Sequence, residues 1–88
     1  MSEIRTKDPR EAAFLWTLEK DFRLTGTDVA DSYGKRVVWF RFETSRDEYG
    51  ISKLRSDFRM GSCLVEPNIY ATRLTDIKGI IREKCYEN

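Results

Sequence analysis

The order of apolar patterns along this chain predicts an α+β fold: a small mixed sheet of about three strands with helices packed on one face, in the order α-β-β-α-β-α. Three observations lead there. Arg36 to Thr44 (Arg-Val-Val-Trp-Phe-Arg-Phe-Glu-Thr) is a β-branched and aromatic run without Gly or Pro. Helix-start signatures at Asp8-Pro9 and at Thr44-Ser45-Arg46-Asp47-Glu48 each precede apolar residues at helical spacing. Between them, Asp31-Ser32-Tyr33-Gly34-Lys35 suits a tight turn joining two strands.

Taken in order, Ile4 to Thr6 reads as a short extended lead-in. Asp8 can cap a helix, Pro9 fits its first position where a missing N–H does no harm, and Glu11 can close a capping box. The helix should run from Pro9 to about Lys20, with Ala12, Leu15, Trp16 and Leu18 as its apolar stripe. Phe22 to Ala30 is the first hairpin strand. With a three-residue loop and Gly34 left-handed, Asp31 faces Lys35. Leu24 then opposes Phe42, Gly26 opposes Phe40 and Asp28 opposes Val38. On the other face Arg23 meets Glu43, Thr25 meets Arg41, Thr27 meets Trp39 and Val29 meets Val37. In this register Gly26 leaves room for the ring of Phe40.

The second helix presents Ile51, Leu54 and Phe58 at helical spacing and stops at Met60-Gly61, with Gly50 weakening its first turn. Ser62 to Glu66 reads as a short third strand ended by Pro67, and a right-handed crossover would lay it parallel to the second strand. The last helix runs from about Asn68 to Lys84, with Tyr70, Leu74, Ile77 and Ile81 on one stripe and Gly79 weakening it.

At 88 residues, 40% hydrophobic and 35% charged, the whole chain (1–88) is expected to form a single domain with an ordinary folded composition. Its formal charge of +1 lowers the expectation of strong non-specific nucleic-acid binding while leaving room for a local basic patch. No apolar run approaches the roughly 20 residues of a membrane span, and no secretory h-region opens the chain, so a cytoplasmic protein is expected. Cys63 and Cys85 are then reduced thiols, with a disulfide between them the minor alternative.

The pattern resembles a small domain of unknown function found in phage and prophage proteins. The resemblance is carried by Thr6-x-Asp8, Ala12-Ala13, Phe40-Arg41-Phe42, Val65-Glu66-Pro67-Asn68-Ile69-Tyr70 and Ile77-Lys78, with Asp21 standing where a Gly is expected. It implies a mobile-element origin and supplies no activity and no functional residues.

The side-chain inventory argues against catalysis. Without histidine, no Ser-His-Asp or Cys-His site forms within one chain. Cys63 sits in an apolar run as a small hydrophobe and Cys85 lies near the end. No zinc ligand set, Asp-x-Asp cluster or Gly-rich phosphate loop is present. A non-enzymatic protein needing no cofactor or metal, and with no membrane partner, is the expectation.

Two binding readings follow. The first is a protein-interaction module, its partner an unidentified protein or a second copy in a homodimer, using Val29, Val37 and Trp39 on the hairpin's second face with Tyr33 at its tip. The alternative is a nucleic-acid-binding accessory protein. Its contacts would be Trp39 and Arg41, an aromatic beside a cation on a sheet, with Arg55 and Arg59 one helical turn apart to hold two phosphates. The bland reading of the basic helix is a solvated face moderated by Glu48 and Asp57.

Overall fold

The structure, a computed structural model, describes residues 2–18, 20–61 and 65–86. It is α+β: strand β1 (Ser2–Thr6), helix α1 (Pro9–Thr17), strands β2 (Phe22–Ser32) and β3 (Lys35–Thr44), and helices α2 (Glu48–Arg59) and α3 (Pro67–Tyr86). The sheet order is β1-β3-β2 with both pairings antiparallel.

The predicted third strand is therefore supplied by the N-terminal lead-in, and the sheet is antiparallel rather than mixed. Ser2 to Thr6 alternates so that Ile4 and Thr6 pair with Phe42 and Phe40. With β1 in the slot beside β3, no parallel crossover strand is needed there. Positions 62–64 of the expected strand, Cys63 among them, lie outside the described residues. Val65 and Glu66 are not in a strand, although Val65 still packs against the core.

The helices begin and end where their chemistry dictates. Asp8 caps α1, its Oδ1 accepting from the N–H of Arg10 at 2.9 Å, with Pro9 at the first position. Glu11 does not close the box; it turns to Arg55 instead. The helix is shorter than expected, its C-cap falling at Leu18. Asp47, rather than Thr44 or Ser45, caps α2 by accepting from Gly50 N–H at 2.7 Å. Gly61, at φ +73°, ends it as the left-handed residue after the cap.

One face of the sheet is the core floor. Phe40, Phe42 and Phe22 are fully buried and Val38 nearly so, beneath Ala12, Ala13, Phe14 and Leu15 of α1 and Ile77 of α3. Helix α1 is enclosed on more sides than the predicted stripe provides for: Phe14, outside that stripe, stacks on Phe58 of α2 at 4.8 Å between centroids. Tyr70, Leu74 and Ile81 line the core side of α3 as their spacing requires.

The hairpin departs from its expected register. Its loop has two residues, Tyr33 and Gly34, both at positive φ (51° and 79°), and Ser32 pairs with Lys35. A primed turn of this kind matches the twist of the strands it joins. The residue thereby gained is absorbed by an irregularity between Leu24 and Gly26. Below it, Leu24 faces Phe42 and Arg23 faces Glu43 as predicted. Above it every partner shifts by one, so that Gly26 faces Arg41, Thr27 faces Phe40, Asp28 faces Trp39 and Val29 faces Val38. No helix among the described residues is long and apolar enough to cross a membrane.

Candidate anion-binding cleft

The shifted register decides what stands on the outer face of the sheet. Directly paired residues of an antiparallel sheet share a face, so Gly26, Asp28 and Ala30 join Val37, Trp39 and Arg41 there, together with Arg5 opposite Arg41 and Glu3 opposite Glu43. Two like-charged pairs thus lie side by side across β1 and β3. Each has a counter-ion from β2. Arg23 Nη2 lies 2.8 Å from Glu43 Oε2. Asp28 Oδ2 lies 3.0 Å from Arg41 Nε, close in distance though not aligned as a hydrogen bond, and 3.9 Å from Arg5. Gly26 leaves room for this arrangement: a Cβ there would stand 2.5 Å from Arg41 Nη2, and the guanidinium would have to move aside.

Where β1 ends and the chain turns into α1, a cleft of about 260 Å³ opens between the sheet and α2. It is lined by Arg5, Lys7, Glu11, Trp39, Arg55 and Arg59, with Thr6 and Asp8 completing its wall. Four cations thus face two carboxylates. Asp8 is engaged in capping α1. Glu11, almost wholly buried, accepts from Arg55 Nη2 at 2.7 Å, which ties α1 to α2 across the back of the cleft. Arg55 Nε is shielded from solvent and has no acceptor among the described residues. Lys7 and Arg59 are exposed, and no carboxylate among the described residues lies within ion-pair distance of either.

Trp39 is half-buried at the centre of this group. The guanidinium carbon of Arg5 lies 5.1 Å from its ring centroid and Lys7 Nζ lies 5.7 Å away, both within cation–π range. The ring thereby holds two cations from the β1–α1 junction in the cleft that Arg55 and Arg59 line from α2. Larger hollows along α3 and beneath the hairpin, bordered by Ile69 and Arg73 and by Arg36 and Cys85 respectively, gather fewer charged side chains among the described residues.

Of the residues expected to contact nucleic acid, Trp39, Arg55 and Arg59 meet in this cleft. Arg41 does not line it and is held by Asp28 instead. Arg5 and Lys7 were missed; the alternation Ile4-in, Arg5-out, Thr6-in was the available signal. The residues expected to form a protein contact do not form one surface. Val37 and Trp39 share the outer face, but the irregularity turns Val29 to the opposite face, where it is 46% exposed, and Tyr33 projects fully exposed from the turn. Among the described residues no group of three His, Cys, Asp or Glu side chains gathers to hold a metal ion.

Comparison of the chain with models of protein families, with curated proteins and with solved structures gives no match. Several positions that carry the resemblance to the phage-associated domain, namely Ala12, Ala13, Phe40, Phe42 and Ile77, are buried core residues. They constrain packing and do not bear on the cleft.

Proposed function

We propose that this protein binds nucleic acid through the cationic cleft around Trp39, and that it acts by binding rather than by catalysis. The observation that carries the reading is the convergence of Arg5, Lys7, Arg55 and Arg59, from two separate segments, on one cleft, the first two of them against its half-buried aromatic ring. Cations spaced around a concave wall are suited to successive phosphates. A small accessory protein of a phage or prophage, working in the cytoplasm, is the setting this reading assumes. The protein-contact reading has no comparable support, because its four residues are dispersed over two faces and a turn.

The test is fluorescence anisotropy with single- and double-stranded DNA and RNA over a range of salt. Four phosphate contacts predict that log K falls against log salt with a slope of roughly −3. The charge reversals Lys7→Glu and Arg59→Glu, both at exposed positions, should together remove binding at moderate salt while leaving the circular dichroism spectrum intact. Binding that ignores salt or survives the double reversal would refute the proposal. A silent titration with a concentration-dependent mass in sedimentation would transfer the reading to a protein contact.

A further inference from the structure

Resting on that reading, we infer that the cleft contacts phosphate alone, and that Trp39 is a positioning residue for Arg5 and Lys7 rather than a platform on which a base stacks. The ring's attraction is already engaged. Two cations stand within 6 Å of its centroid, at 5.1 and 5.7 Å. A base laid on this ring would have to displace charges that the phosphate itself needs.

The surroundings also fail as a stacking surface. Platforms for single strands present successive rings to successive bases, whereas Trp39 is the only aromatic lining the cleft among the described residues. Its neighbours on β3, Phe40 and Phe42, are fully buried on the other face, and Tyr33 is at the distant end of the strand.

Positioning by the ring has a purpose that the sequence makes plain. Arg5 is exposed, belongs to an edge strand and stands opposite another arginine. Lys7 lies beyond the strand's end, with no ladder partner. Without the ring, Lys7 would have no carboxylate at ion-pair distance among the described residues and Arg5 only the exposed Asp28 at 3.9 Å, and ordering two long, loosely held side chains at the moment of binding costs affinity. A π face beside both reduces that cost in advance. The ligand is therefore a polyanion read by the number and spacing of its phosphates, without regard to the identity of its bases.

Competition against a labelled single strand of about 12 nucleotides separates the possibilities. The competitors are the same strand unlabelled, an abasic strand with the same number of phosphates, and a methylphosphonate strand that keeps its bases and loses its charges. The abasic strand should compete within about twofold of the parent, and the methylphosphonate strand should be weaker by a hundredfold or more. A stacked base contributes about fivefold or more, so an abasic strand weaker by that factor would overturn the inference while leaving nucleic-acid binding in place. Failure of the parent strand to bind at low salt would remove both.

A second measurement tests the positioning role. Trp39→Phe keeps a π face and should retain the salt slope, whereas Trp39→Leu should flatten it by about one to two. A residue that merely supports the fold would change the melting temperature and leave the slope unaltered, and that result would also overturn the role assigned to Trp39.

Discussion

Replacing Gly26 by alanine separates the observed hairpin register from the one the turn sequence predicts. In the predicted register Gly26 makes space for Phe40, a ring with no solvent exposure. A methyl group pressed onto a packed core ring of that kind costs about 1–3 kcal/mol. In the observed register the new Cβ points to the outer face, 2.5 Å from Arg41 Nη2 and 3.3 Å from its Cζ. Both are at the far end of a flexible side chain, which swings away and loosens its ion pair with Asp28. That pair is 36% and 46% exposed, so its loss costs at most about 1 kcal/mol. Against it, alanine at a backbone position with ordinary φ restricts the unfolded chain and contributes about 0.4–1 kcal/mol. The two terms nearly cancel, and Gly26→Ala should lie within about 0.5 kcal/mol of the parent in urea denaturation followed by circular dichroism. Asp28→Ala should cost less in the Gly26→Ala background than alone, because the pair is already broken. A loss beyond about 1.5 kcal/mol with no coupling to Asp28 would refute the outer-face placement.

Glu11→Gln should move stability and binding in opposite directions. Losing a charge-assisted bond to Arg55 at a nearly buried carboxylate should cost about 1–2 kcal/mol, or a melting temperature lower by roughly 4–16 °C, while removing one of the two carboxylates from the cleft should tighten oligonucleotide binding several-fold; unchanged affinity would show that the cleft is not where the anion sits. Tyr33→Gly should stabilise the hairpin by about 0.5–1 kcal/mol, since a left-handed conformation costs an L residue about 1–2 kcal/mol and the fully exposed Tyr33 ring returns no packing; thermal melts would expose the error if stability fell instead.

Much of the fold was legible because it is local chemistry. Asp8-Pro9 starts a helix, Gly61 stops one, and the four-three-four spacing of Tyr70, Leu74, Ile77 and Ile81 draws the stripe that α3 buries. The irregularity near Thr25 was not legible. A two-residue loop with one extra strand residue and a three-residue loop with none consume the same length of chain. The two therefore agree below the irregularity, at Leu24 and Phe42, and differ above it. That one-residue shift flips faces, which is why Val29 left the expected contact surface and Asp28 arrived beside Arg41. The role of β1 was hidden for a different reason: a five-residue edge strand with two charges and one threonine carries little hydrophobic signal of its own, and its pairing is decided by the open side of β3.

The near-neutral total charge and the cationic cleft are consistent because the charges are sorted in space. Asp21 holds Arg46 at 2.6 Å, Glu43 holds Arg23, and Asp28 is shared between Arg41 and Arg5. These pairs neutralise the sheet's outer face and the approach to α2. Lys7 and Arg59, which no carboxylate among the described residues approaches to ion-pair distance, both line one cleft, where Arg5 and Arg55 have only partial or buried counter-charges. A field built in this way is short in range. With a screening length of about 8 Å at physiological salt and a formal charge of +1, the protein has little long-range attraction for a polyanion, and the proposed binding would be gained only on contact. Its association should therefore be slow relative to strongly basic nucleic-acid binders, and the salt dependence of its affinity should reside mainly in the dissociation rate. Stopped-flow traces at two salt concentrations would show this directly: an association rate that falls steeply with salt would mean that the charges act at a distance, which their arrangement around Trp39 does not provide for.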